Sequence, residues 1–357
     1  MAAIQDGFQK LDLRNLSDLE HECLNAFRNV IRREENPDDP PIPLEEDMQS
    51  ANNIPSFVEV EFHALWNEVG TEVLAICESA IYHTGDNEHM ADFNIEILPE
   101  YRRKGFGNKA LSLIVKFAKK HNRRLLVTFS TNRTPAATVF LEKLGARKGM
   151  ASHTNQLKVS EFDRSLVPAW LTHSQPLKSE FKLGLLDGPY PDEYLNDIAA
   201  LYQEVANDQP RDDLEMEDMK FTPEFLRDIE KKIFAKGDHR WTLYLTDLAN
   251  RKVVGLTEVS WSPNRAMILN QGFTGVYPEY RSKGLGRWLK AEMMQKILSE
   301  RPEVEFIRTT NSNSNAPMLK INVEMGFKPY LANTIWQVET EQVEKYVLER
   351  TAQKEKP

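Results

Sequence analysis

Pro278-Glu279-Tyr280-Arg281-Ser282-Lys283-Gly284-Leu285-Gly286 is a nine-residue stretch that occurs twice in this chain. The other copy, Pro99-Glu100-Tyr101-Arg102-Arg103-Lys104-Gly105-Phe106-Gly107, lies 179 residues earlier and is identical at seven of the nine positions. Each copy follows a strand-like segment and precedes apolar residues at helical spacing. One glycine-rich turn would be a weak sign, whereas two copies in the same context indicate an internal repeat of about 180 residues.

A glycine turn between a strand and a helix is suited to binding an anion. The first N–H groups of the helix have no partner within it, and the aligned peptide dipoles favour negative charge there. Glycine allows positive φ and a close approach of the backbone to a phosphate, and the Arg and Lys add positive charge. The alternative is a turn that only begins a helix. Lys-Ser or Lys-Thr does not follow the last glycine, as a Walker loop requires, and the third glycine of the dinucleotide motif is missing.

Strand, Arg-x-x-Gly-x-Gly and helix together resemble motif A of the GNAT superfamily of N-acetyltransferases. The resemblance implies that acetyl-CoA binds at these turns through its pyrophosphate, and that its pantetheine arm pairs with the preceding strand. The cofactor-binding residues implied in the first copy are Ile97, Arg102, Arg103, Lys104, Gly105, Phe106, Gly107 and Asn108. Those implied in the second half are Val276, Tyr277, Arg281, Ser282, Lys283, Gly284, Leu285, Gly286, Arg287, Asn311 and Asn315.

The order of elements is the same in each half: β-α-α-β-β-β-α-β-α, and then β. This mixed order predicts the α/β (α+β mixed) class, with a central, mostly antiparallel sheet flanked by helices. It is also the order of a GNAT domain, and the tandem layout is similar to that of mycothiol synthase. We expect an N-terminal domain at 1–171, a polar linker at 172–179 and a C-terminal domain at 180–357.

GNAT domains carry a second signature, with Asn eleven residues and Tyr four residues before the glycine of a Gly-Phe pair. The C-terminal half has Asn315 and Gly326-Phe327 but Asn322 at the Tyr position, whereas the N-terminal half has Thr134 and Leu141. In the family the Tyr is thought to protonate the departing CoA thiolate. Free thiols ionise near a pKa of about 8.5, so losing this acid slows the step without preventing it. The fuller match favours the C-terminal half as the active one.

Amine attack on a thioester also requires a group that removes a proton from the amine. In the C-terminal half the candidate is Glu258, with Thr274 and Gln271 as polar partners. Asn322, at the Tyr position, could serve the leaving thiolate only as a hydrogen-bond donor. In the N-terminal half, Asp92, Asn94 and Glu96 alternate and so share one face of a strand. The alternative is that these polar residues form the solvated side of a sheet. The acidic stretch Asp212, Asp213, Glu215 and Glu217 is either a cover of the acceptor pocket or a solvated run of charge.

Composition limits the other classes. The 357 residues suffice for two domains, and the formal charge of −9 argues against nucleic acid as the main partner. No apolar run is long enough to span a membrane, and Met1–Lys10 does not resemble a secretory signal. Two cysteines fit a reducing, cytoplasmic location, and the histidines show no metal-ligand spacing. We expect no metal, and either a monomer whose halves form a pseudo-dimer or a homodimer.

The sequence thus predicts an acetyl-CoA-dependent N-acyltransferase that acts on a small-molecule amine, mainly in its C-terminal domain. A different reading is an acyl-CoA-binding regulatory or scaffold protein that has lost its catalytic groups. An O-acyltransferase, or an enzyme that uses a longer acyl-CoA, remains a third reading.

Overall fold

A computed structural model describes residues 7–354, with ten α-helices and twelve strands in this range. The strands are β1 (Gln9–Leu11), β2 (Val58–Trp66), β3 (Val73–Tyr82), β4 (Met90–Ile97), β5 (Leu125–Thr131), β6 (Arg147–Lys158), β7 (Phe181–Asp187), β8 (His239–Asp247), β9 (Val253–Trp261), β10 (Ile268–Val276), β11 (Phe306–Ser312) and β12 (Lys328–Glu339). The helices are α1 (Asp18–Glu35), α2 (Leu44–Asn52), α3 (Phe106–Lys120), α4 (Pro135–Lys143), α5 (Leu166–Ser174), α6 (Asp192–Asn207), α7 (Pro223–Ala235), α8 (Leu285–Glu300), α9 (Ala316–Glu324) and α10 (Thr340–Lys354).

The chain forms two compact units. Unit 1 consists of the residues up to Ala151, Arg211–Glu217 and the residues from Leu331 onward. Unit 2 consists of Ser152–Pro210 and Asp218–Tyr330. The strands β6 and β12 each begin in one unit and end in the other.

Each unit contains six neighbouring strands, in the order β1-β2-β3-β4-β5-β12 in unit 1 and β6-β11-β10-β9-β8-β7 in unit 2. Within these units the pairs β4–β5 and β10–β11 are parallel, and the other pairs are antiparallel. The expected α/β (α+β mixed) class, with a mostly antiparallel sheet and helices in each of two units, is confirmed.

The limits of the units differ from the expected segments 1–171, 172–179 and 180–357. The expected linker lies in unit 2, partly in α5 and partly in the 3₁₀ turn that follows it. Val167 of α5 is buried in the core of unit 2, whereas Trp336, Val338 and Val343, from the end of the chain, are buried in a core of unit 1. The last strand and helix of the chain therefore complete the unit that begins it, because that is where their apolar side chains are buried.

Helix α1 shows how the sequence fixes an element next to the site. Ser17 and Glu20 form a capping box, in which each side chain accepts a hydrogen bond from the other residue's backbone N–H. Leu24 and Phe27 follow at helical spacing and are buried against the strands of unit 1. These contacts direct the last turn of α1 toward the carboxyl end of β4.

Candidate functional site

The two glycine turns have the same backbone conformation. In each, a 3₁₀ turn follows the strand, and then a non-glycine residue adopts positive φ, 64° at Arg103 and 63° at Ser282. Two residues later, Gly105 and Gly284 lie at φ 88° and 90° and begin α3 and α8. Positive φ is a conformation that glycine adopts without steric cost. Each turn therefore directs the unpaired N–H groups of a helix N-terminus toward one point, as an anion site requires.

The first arginine of each motif contacts protein groups. Arg102 donates from Nε to the carbonyl oxygen of Ile97 at 2.9 Å, and its guanidinium binds both carboxylate oxygens of Glu34. Arg281 likewise donates from Nε to the carbonyl oxygen of Val276 at 3.2 Å, and it pairs with Asp208. Their expected role in cofactor binding stays a prediction, and helix geometry leaves the N–H groups in the first turns of α3 and α8 without partners within the helix.

The lysines of the turns lie over aromatic rings. Lys104 Nζ is 4.4 Å from the ring centre of Tyr101, and Lys283 Nζ is 5.3 Å from that of Tyr280. Such contacts hold the long side chain beside the turn while its charge stays in solvent. Both lysines thus add positive potential where the sequence predicts the diphosphate.

Beside each turn, two parallel strands part. Met90–Asp92 of β4 pair with Leu125–Val127 of β5, and Ile268–Asn270 of β10 pair with Phe306–Arg308 of β11. Beyond these three pairs the strands are not joined to each other, although all four continue for several residues. Each gap therefore exposes backbone N–H and C=O groups to which an extended ligand could hydrogen-bond. Strand β10 also has a bulge between Gln271 and Thr274, whereas β4 pairs regularly with β3.

In unit 1, a pair of polar side chains lies on β4 at this gap. Asn94 donates from Nδ2 to Oε1 of Glu96 at 3.0 Å, and both residues are half-buried. Burial raises the pKa of Glu96; Asn94 and Arg28 oppose the shift, while the negative charges of Glu35 and Glu78 add to it. The alternating polar residues of β4 therefore do not form a freely solvated face, because the Glu96 carboxylate is partly enclosed.

A second carboxylate lies on the other side of the same gap. Glu35, the last residue of α1, accepts a hydrogen bond from Thr131 Oγ1 at the end of β5, at 3.0 Å. Burial raises the pKa of Glu35, and the bond from Thr131 opposes this. Glu34 and Glu35 are not among the site residues predicted from the sequence. A signal was present, because acidic residues lie at the end of the first helix of each half: Glu34-Glu35 in the last turn of α1, and Asp208 directly after α6.

In unit 2, apolar residues fill the corresponding positions. The 179-residue repeat places Phe273 opposite Asn94 and Gly275 opposite Glu96. The ring of Phe273 stacks on Tyr202 of α6, with 4.2 Å between ring centres. A Cβ at Gly275 would collide with Val205 and would lie 2.8 Å from Cζ of Phe273. This face of unit 2 therefore has no room for a carboxylate at the position of Glu96.

Glu258 is enclosed in a hydrogen-bond network and is 6% exposed. Its carboxylate accepts hydrogen bonds from the hydroxyls of Tyr190, Tyr202 and Thr242, the last two at 2.6 and 2.7 Å. Arg240 Nε lies 3.8 Å away. These contacts satisfy both carboxylate oxygens, so the side chain of Glu258 lies in the protein interior and is not open to solvent.

Thr274 and Gln271 do not meet the Glu258 carboxylate. Thr274 Oγ1 lies 2.7 Å from Thr257 Oγ1, and Gln271 Nε2 donates to Thr257 and to the main-chain oxygen of Glu258. Neighbouring side chains of a strand point to opposite faces, so Thr257 and Glu258 face different sides of the sheet. The catalytic grouping expected from the sequence is therefore split between two faces.

The asparagines of unit 2 have structural contacts. Asn322 is 1% exposed and donates from Nδ2 to Asn311 Oδ1 at 2.7 Å, while its own Oδ1 has no hydrogen-bond partner among residues 7–354. Asn315 accepts a hydrogen bond from the N–H of Met318 and so caps α9. In unit 1, Leu141 lies buried in the core. A role in catalysis or cofactor binding for these asparagines stays a prediction.

The acidic stretch is ion-paired at the other end of the strands of unit 1. Glu215 pairs with Arg124, which precedes β5, and with Arg147, and the N–H of Glu217 donates to Asn87 Oδ1, just before β4. The gap lies at the carboxyl ends of β4 and β5. Residues 211–217 thus bind away from the gap of unit 1, and the ion pairs of Glu215 show that they are not a freely solvated run of charge. A role as a cover of an acceptor pocket in the C-terminal half stays a prediction.

Two further features concern metals and membranes. Within residues 7–354, the His, Cys, Asp and Glu side chains form no cluster of three or more that could hold a metal ion. Among the helices of the same residues, none combines the length and apolar character that crossing a bilayer requires. Of the segment Met1–Lys10, which does not resemble a secretory signal in sequence, the first six residues lie outside the described residues.

Comparison with known proteins identifies the fold. Residues 24–146 match the model of the acetyltransferase (GNAT) family. The tandem GNAT protein from the clavulanic acid biosynthesis pathway is 20% identical, with a TM-score of 0.74 over 93% of this chain and 98% of that one. A GCN5-related N-acetyltransferase from Sphaerobacter thermophilus is 12% identical, with a TM-score of 0.63 over 95% and 97% of the two chains.

A third similar structure is the GCN5-related glucosamine N-acetyltransferase region of a fungal multi-domain GH3 beta-N-acetylglucosaminidase. It is 14% identical, with a TM-score of 0.64 over 95% of this chain and 38% of that one. No curated protein matches the sequence. At these identities a structural likeness establishes the fold and not the substrate. Residues 24–146 therefore match the GNAT acetyltransferase family, and the whole chain has the fold of tandem GNAT proteins.

Proposed function

We propose that this protein transfers the acetyl group of acetyl-CoA to the amine of a small molecule, and that unit 1 performs the reaction. The observation that carries the proposal is the position of Glu96. This half-buried carboxylate lies where β4 and β5 part, directly before the glycine turn. Unit 2 has the same turn, but Gly275 occupies the corresponding position. The family match at residues 24–146 lies in unit 1 and supports this choice.

The donor would bind through backbone groups. The N–H groups of Phe106, Gly107 and Asn108 lie in the first turn of α3, where helix geometry leaves them without partners, and they would hold the diphosphate. Residues 93–97 of β4 would hydrogen-bond the pantetheine arm along their free edge. Acetyl-CoA supplies the activated thioester, and this chain supplies the alignment that brings it close to the acceptor.

Glu96 would act as the general base. A small amine arrives mostly protonated at neutral pH and must lose a proton before it attacks. Because burial raises the pKa of Glu96, its carboxylate is a stronger base than an exposed one. Its negative charge and that of Glu35 also favour a cationic acceptor over an anionic one.

The thiolate would leave without a side-chain acid. Leu141 occupies the position of the family's Tyr and cannot donate a proton. A thiol has a pKa of about 8.5, so its anion is a tolerable leaving group near neutral pH. We therefore expect a slower reaction than in a domain with the Tyr, and a rate that rises when the thiolate is made more stable.

Unit 2 supports a second function, which is the binding of an acyl-CoA without chemistry. Its turn has the same geometry as that of unit 1, and its strands also part, but Phe273, Tyr202 and Val205 fill the acceptor face. The sequence favours catalysis in the C-terminal half, and the experiment must distinguish this alternative from catalysis in unit 1. A cytoplasmic location and a monomeric or homodimeric state also remain predictions.

The test is release of free thiol from acetyl-CoA over a panel of amines. We expect Glu96→Gln to lower kcat/KM by about 100-fold or more, the usual effect of removing a general base. Calorimetry should show that Glu96→Gln still binds acetyl-CoA. Glu258→Gln is the matched variant in unit 2, and we expect it to change thermal stability more than rate.

The opposite pattern would place the reaction in unit 2, with Glu258→Gln inactive but folded and Glu96→Gln active. Gly107→Asp and Gly286→Asp then show which turn binds the donor, because a carboxylate there repels the diphosphate. Binding of acetyl-CoA without thiol release for any amine would favour the regulatory reading. No binding at all would remove acyl transfer as the function.

A further inference from the structure

We infer that Glu34 is a positioning residue: through Arg102 it joins the donor-binding turn of unit 1 to the last turn of α1, next to the acceptor. The inference rests on the proposed function of unit 1. It concerns residues to which neither the sequence analysis nor the proposed mechanism assigns this role.

The contacts in unit 1 show how Arg102 is used. Its Nη1 donates to Glu34 Oε1 at 3.0 Å, Nη2 binds the other carboxylate oxygen, and Nε binds the carbonyl oxygen of Ile97. Arginine has five N–H donors in a planar fork, and this arrangement uses donors from all three nitrogens. A two-pronged pair with a carboxylate also fixes the orientation of both side chains. Arg102 is therefore held against α1 and β4.

The same arrangement occurs in unit 2. Arg281 donates from Nε to the carbonyl oxygen of Val276, the last residue of β10, and pairs through Nη1 with Asp208 at the end of α6. The ion pair of unit 2 is more exposed to solvent and therefore weaker. The side chains of Arg281 and Asp208 are 42% and 51% exposed, whereas those of Arg102 and Glu34 are 30% and 26% exposed. Recurrence in two units indicates that the arginine of this motif serves to attach the turn to the first helix.

In unit 1 the next residue extends the connection. Glu35 binds Thr131 at the end of β5, while Glu34 binds Arg102 just beyond the end of β4. The last turn of α1 is therefore bonded directly to the end of β5 and, through Arg102, to the end of β4. Two consecutive carboxylates thus connect α1 to both strands, and Glu35 lies within electrostatic reach of Glu96. In unit 2 the residue after Asp208 is Gln209, so this second carboxylate is absent there.

In this inference Arg102 positions α1, and the backbone of the turn binds acetyl-CoA. If Arg102 positions α1, its loss should disturb the acceptor side more than the binding of acetyl-CoA. We expect Glu34→Gln and Arg102→Lys each to raise the KM for the acceptor by roughly tenfold, because small displacements at a reacting centre are costly. The KM for acetyl-CoA should change less than about twofold, which corresponds to roughly 0.4 kcal/mol.

The double variant Glu34→Gln/Arg102→Lys should be no worse than either single variant, because one contact has been removed in all three. Glu22→Gln is the matched control. It makes the same substitution on the same helix, where the side chain is exposed and forms no hydrogen bond or ion pair with the described residues.

Several outcomes would overturn the inference. If Arg102→Lys weakens acetyl-CoA binding while Glu34→Gln does not, Arg102 is a phosphate ligand. If the two losses add, the residues act separately, and if the acceptor KM is unchanged in both variants, Glu34 positions nothing.

A readout that needs no turnover separates this inference from the proposed function. Glu34→Gln should speed amide hydrogen exchange in residues 30–36 at the end of α1, whereas Glu22→Gln should not. If the wild-type protein releases no thiol with any amine, the proposed function fails, and the exchange data alone decide whether Glu34 joins α1 to the turn. Unchanged exchange in Glu34→Gln would overturn the inference even in an active enzyme.

Discussion

The strands β4 of unit 1 and β10 of unit 2 lead into turns with the same φ angles and yet present different chemistry. Two residues apart on β4 are Asn94 and Glu96, a hydrogen-bonded polar pair at the gap. The same positions of β10 hold Phe273 and Gly275, which pack against α6. Backbone geometry suited to binding an anion is thus preserved in both units, while the carboxylate proposed to act on an acceptor is present in one.

This difference shows that a repeated unit can keep the glycine turn without keeping the side chains of an active site. The turn depends on glycine and on a helix N-terminus, and both can be copied without any particular neighbour. The proposed acceptor face depends on side chains from three elements, β4, α1 and β5, and all three must supply matching residues. The following predictions test this contrast between the units.

The largest effect is expected from ending the chain after Tyr330. This removes Trp336, Val338 and Val343 from a core of unit 1, and it removes the strand that pairs with β5. Burying one large apolar side chain contributes about 1.5–3 kcal/mol, so losing three is comparable to the whole stability of a domain. No core residue of unit 2 lies beyond Phe327 within the described range. We therefore expect unit 1 to unfold and unit 2 to persist.

Hydrogen exchange read out by mass spectrometry measures this directly for each unit. Peptides from β3, β4 and α3 should lose protection, while those from β8, β9 and α8 should keep it. A chain that ends after Ala352 serves as the control and should behave as the full chain does. Retained protection in α3 would show that β12 and α10 are not needed for unit 1 to fold.

Gly275→Ala tests whether the acceptor face of unit 2 is filled. The new Cβ would collide with Val205 and would lie 2.8 Å from a ring carbon of Phe273. Overpacking of this kind costs about 1–3 kcal/mol, measured as the free energy of unfolding in denaturant. Glu96→Ala at the corresponding place in unit 1 only shortens a half-buried side chain, and a smaller change is expected. A neutral Gly275→Ala would mean that unit 2 has room for an acceptor.

Lys290 marks a second contrast, since the repeat places it opposite Leu111 of unit 1. It is 2% exposed and has no hydrogen-bond or ion-pair partner among the described residues, and burial lowers its pKa from 10.5 to about 7. Between these values the unfolded chain binds the proton and the folded one does not. The stability of unit 2 should therefore rise with pH in this window, with a slope of at most about 1.4 kcal/mol per pH unit.

Lys290→Leu should remove this pH dependence and stabilise unit 2 most near neutral pH. The measurement is the difference in unfolding free energy between the variant and the wild-type protein at pH 7, 8.5 and 10. The difference should shrink as pH rises. A constant difference would mean that Lys290 stays protonated in the folded protein.

The smallest effect concerns the caps of α9 and α4. Asn315 caps α9 through Oδ1, whereas Thr134 in unit 1 forms no side-chain cap bond to α4. Asn315→Ala should cost about 1 kcal/mol of unfolding free energy, a usual value for a lost cap. Thr134→Ala should cost less. Equal losses in the two variants would contradict this difference between the helices.

Much of the molecule followed from local patterns. The repeated turn, the order of the elements and the alternation of Asp92, Asn94 and Glu96 are visible in the sequence, and the GNAT-like fold is confirmed. These features depend on near neighbours, because glycine at positive φ, a cap and helical or strand periodicity act over a few residues. The bound donor and the acceptor stay predictions.

Features that join distant parts of the chain could not be read in this way. The partner of Arg102 lies 68 residues away, Glu258 meets hydroxyls from α6 and β8, and the last strand completes unit 1. The lack of space at Gly275 could likewise not be predicted from the sequence, because it is caused by contacts with Val205 and Phe273. Sequence periodicity indicates which face of a helix or strand is apolar, but it does not indicate which other element that face packs against. That choice is made by packing across the whole fold, where burial of apolar area and satisfaction of polar groups are decided together.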